Sequence, residues 1–309
     1  MSIVKVDSLS HRYHRDWAIR DISFEIERKG VLGLLGSNGA GKSTVMNILC
    51  GVLNQTQGAV HIDGIDMRAK PEDAKRLLGF LPQNAPLHLE LTVAEYLRYC
   101  AGIRNVHDGR IAAAVTDVME RCGVAHVAQR LLRNLSGGYR QRVGIAQAIV
   151  HAPKVVVLDE PTNGLDPNQI LEMRKLIKQI GEESVVIFSS HILTEIQATC
   201  RDVKMIESGR MVFADSMEAF NNHVLPDSLV LSFDNPPAAA ELGAIAGVTR
   251  VESLGEVSFR LRFRNSPDLP KYLIRLSLER GWELREIAME KSSLDQVFAQ
   301  LSGQRAGTT

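Results

Sequence analysis

Three stretches of the chain are continuously apolar and too short to form helices of ordinary length. They cover Val31–Leu35, Val155–Leu158 and Val185–Phe188. A helical pattern, Gln169–Gly181, separates the second stretch from the third. Short apolar runs linked by helices are typical of parallel strands that are buried on both faces. The pattern therefore predicts an α/β fold built on a parallel sheet.

Other stretches alternate between apolar and polar residues, as half-buried strands do. Alternation predicts strands over Ile3–Val6 and Ile22–Ile26. It also predicts two hairpins, one over Ala59–Asp66 and one that pairs Val203–Glu207 with Arg210–Phe213. These segments indicate antiparallel structure beside the parallel sheet.

The pattern turns helical in the middle of the chain, after a short strand at Leu78–Leu81. Thr92 and Glu95 stand three residues apart, the spacing of a capping box at a helix N-terminus. A second helix is expected over Asp108–Cys122, with Gly123 as its stop. We therefore expect a helical subdomain at about residues 85–150, inserted into the β/α chain.

Beyond residue 220 asparagine and proline residues mark a linker and a loop. Residues 228–302 then alternate strands and helices in an order that predicts a split β-α-β arrangement. The expected strands are Ser228–Phe233, Val248–Leu254, Val257–Phe263 and Trp282–Ala288, and the expected helices are Ala238–Ala246, Leu269–Arg280 and Ser293–Leu301. The sequence thus predicts an α/β domain at 1–220 and a small α+β accessory domain at 221–309.

Composition restricts the classes of function. The chain is 45% hydrophobic and 23% charged, as soluble globular proteins are, and 36 basic residues balance 36 acidic ones. A formal net charge of zero gives no global field that would recruit nucleic acid, so no nucleic-acid partner is expected. The apolar runs are far shorter than the roughly 18 residues of a membrane span, and the N-terminus lacks a signal-peptide pattern. A membrane span, if one is needed, is expected from another chain.

The four cysteines show no Cys-x-x-Cys spacing. They are Cys50, Cys100, Cys122 and Cys200. Free thiols, most of them buried, are therefore expected rather than a zinc site or a disulfide framework, and a reducing compartment fits this usage.

A glycine-rich loop joins the first apolar strand to a helical segment, which is the context of a phosphate-binding P-loop. It consists of Gly36, Ser37, Asn38, Gly39, Ala40, Gly41, Lys42, Ser43 and Thr44. Glycines let successive backbone N–H groups point at an anion, and the helix that begins near Lys42 adds its dipole. Lys42 is expected to reach the β- and γ-phosphates, and Ser43 to ligate Mg²⁺. A glycine-rich turn without a ligand is the alternative.

Two carboxylates, Asp159 and Glu160, follow the apolar strand Val155–Leu158. Ligands of open α/β sheets bind at this carboxyl end of the strands. We expect Asp159 to hold the Mg²⁺ shell and Glu160 to orient or deprotonate an attacking water. The alternative is a strand that ends in a solvated acidic turn.

A second candidate anion site precedes the apolar helix Val143–Val150. Small residues again stand at a helix N-terminus, in the run Leu135-Ser136-Gly137-Gly138-Tyr139-Arg140-Gln141. Two phosphate-binding helix starts with one Mg²⁺ site would be unusual in a nucleotidase that works as a monomer.

Over residues 3 to about 215 these motifs resemble the nucleotide-binding subunits of ATP-binding cassette (ABC) proteins. Six motifs stand in the order of that family: Walker A (Gly36–Thr44), the Q-loop (Gln83), the signature (Leu135–Gln141), Walker B (Val155–Asp159, with Glu160), the D-loop (Gly164–Pro167) and the switch histidine (His191). The resemblance implies a P-loop NTPase core with an antiparallel β subdomain and a helical subdomain.

The resemblance also explains the second anion site. It implies a homodimer in which two copies pair head to tail around two ATP, with the signature of one copy capping the nucleotide on the P-loop of the other. Asp166 is expected to cross the interface towards the opposite P-loop. The signature residues assigned to the trans ATP contact are Ser136, Gly137, Gly138 and Gln141.

Catalytic roles follow from the same resemblance. Glu160 would act on the attacking water, His191 would contact the γ-phosphate, and Gln83 would touch both the metal and the water. The metal ligands would be Ser43, Gln83 and Asp159.

Two positions leave a choice or depart from the family pattern. Tyr13 matches the aromatic residue that stacks on adenine, and Trp17 competes for that role. Tyr139 replaces the glutamine that usually follows the two signature glycines. We expect ATP capping to survive this change, since the phosphate contacts rest on Ser136 and backbone amides.

Two further stretches, Phe80–Leu97 and Ser293–Phe298, are similar to ATPases of bacterial type-2 ABC exporters. This similarity implies an exporter ATPase on the cytoplasmic face of the membrane, with a separate permease that docks on the helical subdomain. The alternative is a soluble ABC ATPase that acts on ribosomes or nucleic acid. Such proteins carry long insertions or two cassettes with a basic linker, and none of these features is visible in the sequence.

Overall fold

The structure of the protein is a computed structural model that describes residues 2–223, 228–263 and 268–290. The chain divides into two compact units, Met1–Phe220 and Asn221–Thr309. No helix in the described part of the chain is long and apolar enough to cross a membrane.

Strands and helices are numbered along the chain. The strands of the first unit are β1 (Val4–Tyr13), β2 (Asp16–Ile26), β3 (Gly30–Leu35), β4 (Gln57–Ile62), β5 (Ile65–Asp66), β6 (Leu78–Leu81), β7 (Val155–Asp159), β8 (Val185–Ser190), β9 (Asp202–Glu207) and β10 (Arg210–Ser216). The helices up to the unit boundary are α1 (Lys42–Leu49), α2 (Pro71–Arg76), α3 (Val93–Ile103), α4 (Asp108–Arg121), α5 (Gly137–Ile149), α6 (Pro167–Glu183), α7 (Leu193–Thr199) and α8 (Met217–His223).

The main sheet of the first unit has the order β10-β9-β3-β8-β7-β6. Strands β6, β7, β8, β3 and β9 run parallel, and β10 pairs antiparallel with β9. Every residue of β7 and β8 is buried, which confirms the prediction from their continuous apolar sequence. Because parallel strands end at the same edge of a sheet, the segments after β3, β6, β7 and β8 meet there.

A second sheet, of order β2-β1-β4-β5, is antiparallel. One apolar core of buried residues joins this sheet to α1 and to the main sheet. Strand β2 begins at Asp16, six residues before the predicted start at Ile22. Register shifts between Val6 and Arg12 of β1 interrupt the pairing, so the strict alternation from which strands were predicted is absent in this hairpin.

The predicted helical insertion contains α3, α4 and α5. The capping box is present, with the Glu95 backbone N–H donating to Thr92 Oγ1 at 3.3 Å and the Thr92 N–H donating to Glu95 Oε2 at 2.9 Å. Helix α4 covers Asp108–Arg121, close to the predicted range.

The second unit contains β11 (Ser228–Phe233), α9 (Ala239–Gly243), β12 (Val248–Ser253), β13 (Ser258–Phe263), α10 (Leu269–Arg280) and β14 (Leu284–Met289). Its sheet has the order β12-β13-β11-β14 with every neighbouring pair antiparallel. Strand β13 thus lies between β11 and β12, which α9 connects, and this is the predicted split β-α-β arrangement. Trp282 packs into the apolar core of this unit instead of opening β14. The predicted helix Ser293–Leu301 lies outside the described residues.

The four cysteines are free thiols, and three of them are buried. Burial raises the pKa of the Cys122 thiol to about 12 and also raises the thiol pKa of Cys50 and Cys200. These thiols are therefore protonated and unreactive packing groups, as the sequence predicted.

Candidate functional site

The glycine-rich loop wraps tightly between β3 and α1. Gly39 and Gly41 have φ angles of +83° and +107°, in the region that glycine adopts most readily. A Cβ atom on Gly36 would lie 2.2 Å from the Ile206 carbonyl oxygen, so the loop can approach β9 only with glycine there. Helix α1 begins at Lys42, as predicted. The strand–loop–helix context that a P-loop requires is thus present.

The Lys42 side chain folds back into this loop. Its ammonium donates to the Gly36 carbonyl at 2.9 Å and to the Ser37 carbonyl at 3.0 Å. Burial lowers the pKa of Lys42, and nearby carboxylates, chiefly Glu160, offset part of this effect. A buried ammonium interacts more strongly with a phosphate than an exposed one does, because water screens it less.

A cavity of about 450 Å³ opens over the loop and brings together four separate parts of the chain. Its lining consists of Tyr13, Ala18, Asn38, Gly39, Gly41, Lys42, Ser43, Thr44, Gln83 and Glu160. Tyr13 is 48% exposed and lines the cavity. Trp17 instead lies under the guanidinium groups of Arg12 and Arg20, at 5.8 and 5.3 Å from its ring centroid. This geometry favours Tyr13 over Trp17 as the stacking residue.

The three predicted catalytic side chains meet beside this cavity. Glu160 Oε2 accepts from Gln83 Nε2 at 3.1 Å, and Glu160 Oε1 lies 3.0 Å from His191 Nδ1. Glu160 is 8% exposed and has a φ angle of +49°, which non-glycine residues seldom adopt. The carboxylate is therefore held between the Q-loop and the switch histidine, by a backbone conformation that is rare for residues other than glycine.

Ser189, which the sequence did not point to, ties the two carboxylate residues to β8. Its hydroxyl donates to Asp159 Oδ1 at 2.6 Å and accepts from the Glu160 backbone N–H at 2.9 Å. Its position at the end of a buried strand, two residues before the switch histidine, was the only signal available in the sequence.

Glu207 at the end of β9 is a second residue that the sequence did not identify. The Ser37 hydroxyl lies 2.8 Å from both Glu207 carboxylate oxygens, and the Ser37 backbone N–H donates to the same carboxylate at 3.3 Å. The β9–β10 hairpin therefore supports the start of the glycine-rich loop.

The signature residues do not line the P-loop cavity. Ser136 is the N-cap of α5, and its hydroxyl accepts from the Tyr139 backbone N–H at 3.5 Å. Gly138 packs so closely on Gln169 that a Cβ atom there would lie 2.6 Å from Gln169 Oε1. The Tyr139 hydroxyl is 3.0 Å from His126 Nε2. Gly138 and Tyr139 line a different cavity, of about 460 Å³, and the lining of the P-loop cavity contains no signature residue.

Two further predicted site residues make contacts within the chain. Asp166 is the N-cap of α6, and its carboxylate accepts from the Gln169 backbone N–H at 2.9 Å. Gln141 is half-buried on α5. One chain thus brings together the P-loop, Asp159, Glu160, Gln83 and His191, and leaves the signature apart from them.

Comparisons with known proteins identify the family of the chain. The ABC transporter family matches residues 19–163. The chain is 34% identical over 307 residues to the bacitracin transport ATP-binding protein BcrA of Bacillus licheniformis, covering 98% of both chains. It is 36% identical over 204 residues to the ABC transporter ATP-binding protein NatA of Bacillus subtilis, covering 65% of this chain and 83% of NatA.

A solved structure is also similar. The cbiO1 protein of Clostridium perfringens, described as part of the ABC transporter complex cbiONQ, superimposes with a TM-score of 0.66 at 28% identity. The match covers 72% of this chain and 91% of that one. The chain belongs to the ABC transporter family and is one of its ATP-binding, ATP-hydrolysing subunits.

Proposed function

We propose that two copies of this chain pair head to tail around two ATP and drive a separate membrane permease in export. The observation that carries this proposal is that the two anion-binding motifs of one chain do not share a cavity. The P-loop cavity has its own metal and catalytic candidates, whereas Ser136 and Gly138 stand apart from it. A complete nucleotide site then needs the signature of a second copy.

The donor set beside the P-loop fits Mg²⁺. Ser43, Gln83 and Asp159 offer a hydroxyl, an amide carbonyl and a carboxylate, the hard oxygen donors that Mg²⁺ prefers. The hydrogen bond from Ser189 occupies Asp159 Oδ1 and orients the carboxylate. When bound, Mg²⁺ supplies charge neutralisation to the nucleotide phosphates.

The proposed role of Glu160 is to act on the attacking water. Its carboxylate lies on the P-loop cavity and is fixed by Gln83 on one side and His191 on the other. A fixed carboxylate at this edge of the sheet orients a water or takes its proton. The partly exposed His191 ring lies beside Glu160, and its proposed role is to contact the γ-phosphate.

A basic groove supports contact with a permease. The groove has a volume of about 620 Å³ and lies between the end of α3, the start of α4 and the end of α5. Arg76, Arg104 and Arg110 line it, and none of its ten lining residues is acidic. We propose that an acidic cytoplasmic segment of the permease docks there, which places the chain at the cytoplasmic face of the membrane.

Export is supported by a relative that aligns over nearly the whole chain and whose name describes bacitracin transport. The soluble alternative, an ABC ATPase on ribosomes or nucleic acid, has no such support. The formal net charge is zero, so the chain has no excess positive charge for phosphate backbones.

Affinity purification from detergent-solubilised membranes of the native host tests the partner. The tagged wild-type chain is expected to recover a multispanning membrane protein. Arg110→Glu should reduce that recovery at least tenfold, because like charges would face each other in the groove. Lys178→Glu, an exposed charge reversal on α6, is the matched control and should recover the partner as the wild type does.

Two outcomes would contradict parts of this proposal. Recovery of ribosomes or nucleic acid without a multispanning protein would favour the soluble alternative. Equal recovery of a multispanning protein by the Arg110 and Lys178 variants would still support a permease partner, but it would exclude the groove as the docking site.

A further inference from the structure

Glu195 on α7 is a buried carboxylate with no assigned part in the hydrolysis site. It is 2% exposed. Its Oε2 atom accepts from the Thr162 hydroxyl at 2.6 Å and from the Ser190 hydroxyl at 3.0 Å. Removing a carboxylate from water is unfavourable unless hydrogen bonds replace the lost hydration. The position of Glu195 therefore depends on these two hydroxyl groups, and theirs on Glu195.

The two hydroxyl groups belong to the two segments that carry the reacting side chains. Thr162 lies two residues after Glu160, in the turn that leads to the D-loop. Ser190 ends β8 directly before His191, and its hydroxyl also accepts from the Ile192 backbone N–H at 2.9 Å. One carboxylate oxygen thus joins the segment after β7 to the segment after β8.

The turn that Thr162 anchors is conformationally demanding. Glu160 has a φ angle of +49°, a value that a non-glycine residue holds only when its surroundings enforce it. Within the turn, the Asn163 backbone N–H donates to the Glu160 carbonyl at 3.1 Å. The Thr162 hydroxyl is the turn's side-chain link to α7.

We infer that Glu195 is a positioning residue for ATP hydrolysis. Through Thr162 and Ser190 it holds Glu160 and His191 in register, so that their side chains stay 3.0 Å apart. The inference rests on the proposed roles of Glu160 and His191. If either hydrogen bond to Glu195 is lost, Glu160 should move away from the attacking water, while the P-loop should keep its structure.

Thr162→Val tests this, because valine keeps the shape of threonine and removes only the hydroxyl. We expect kcat for ATP hydrolysis to fall about tenfold or more, since small displacements of catalytic groups lower rates by up to about a hundredfold. The KM for ATP should stay within about twofold. Thr162→Ser restores the hydroxyl and should restore most of kcat, and Glu195→Gln, which keeps an acceptor oxygen, should lose less than Thr162→Val.

Ser184→Ala is the matched control. Ser184 directly precedes β8, at the end opposite Ser190, and its buried hydroxyl donates to the Pro153 carbonyl at 2.8 Å. This variant should lower Tm as Thr162→Val does and leave kcat unchanged. A Thr162→Val variant with a lowered Tm and wild-type kcat would overturn the inference, because the bond would then be merely structural.

Glu160→Gln separates this inference from the proposed function. If Glu160→Gln hydrolyses ATP at the wild-type rate, the proposed role of Glu160 fails. If that variant is inactive while Thr162→Val and Ser190→Ala keep wild-type kcat, only the positioning role of Glu195 fails.

Discussion

Glu160 shows how much a single residue can depend on its surroundings. Its backbone has a φ angle of +49°, and its carboxylate contacts Gln83 and His191. Strained backbone positions of this kind cost about 1–3 kcal/mol and persist where the rest of the structure enforces them. The strained residue Glu160 lines the P-loop cavity.

Glu160→Gln should leave ATP binding intact and trap an ATP-bound dimer. The amide cannot accept a proton from water, so hydrolysis should fall by about a hundredfold or more. Steady-state ATPase assays and size-exclusion chromatography with ATP and Mg²⁺ measure both effects. Glu182→Gln, an exposed change on α6, is the control. Wild-type hydrolysis by Glu160→Gln would exclude Glu160 as the base.

The motif residues could be predicted from the sequence, whereas the residues that hydrogen-bond to the motif segments could not. Lys42, Asp159 and Glu160 stand in short local patterns that are readable along the chain. Ser189 and Glu195 lie about 30 residues beyond the groups they hold, and no local pattern links them. They meet only because β7 and β8 pair in parallel.

At the level of secondary-structure elements, a histidine whose protonation depends on pH lies where α5 packs against β6. His151 follows α5, and its Nε2 atom lies 3.0 Å from the Leu78 carbonyl at the start of β6. Burial, with a smaller contribution from Arg104, lowers the pKa of His151 from 6.5 to about 4. The folded protein therefore holds this ring neutral where the unfolded chain would protonate it.

The free energy of unfolding should fall as pH drops from about 6.5 to 4, because the unfolded state binds the extra proton. For this group the loss at pH 4.5 is on the order of 2 kcal/mol. His151→Gln keeps a donor for the Leu78 carbonyl and cannot be protonated, so its stability should depend less on pH. Urea unfolding at pH 7 and pH 4.5 measures the difference. The exposed His14→Gln variant should keep the wild-type dependence, and an equal slope in both variants would contradict the assignment.

The helices and strands match the sequence prediction where the hydrophobic pattern is regular. The apolar runs of β7 and β8 and the capping box at Thr92 were predicted and are present. Strand β2 began earlier than predicted because register shifts in the β1–β2 hairpin remove the alternation. Pairing with a neighbouring strand, rather than the sequence of β2, decides where it starts.

For the whole molecule, the separation of P-loop and signature has a measurable consequence. Lys42→Ala should remove the phosphate contact on the P-loop side, and Ser136→Glu should place a negative charge against the partner's nucleotide. Each variant alone should be nearly inactive. In a mixed head-to-tail dimer, one of the two sites combines an intact P-loop with an intact signature.

Mixing the two inactive variants should therefore restore about a quarter of wild-type ATPase activity, since half of the dimers are mixed and one site in two is intact. The control mixes Lys42→Ala with the double variant Lys42→Ala/Ser136→Glu, which leaves no intact site. Mixed dimers that form without regaining activity would contradict the head-to-tail arrangement.

By itself the sequence determined the α/β class, the P-loop, the carboxylates after β7 and the resemblance to ABC subunits. These features depend on residues close together in the chain, whose spacing is visible without a fold. The tertiary structure decided that Tyr13 and not Trp17 lines the nucleotide cavity, that Ser189 bonds to Asp159 and Glu195 to Thr162, and that no signature residue lines the P-loop cavity. Contacts between segments far apart in sequence arise only when strands pair and helices pack, and no local pattern encodes them.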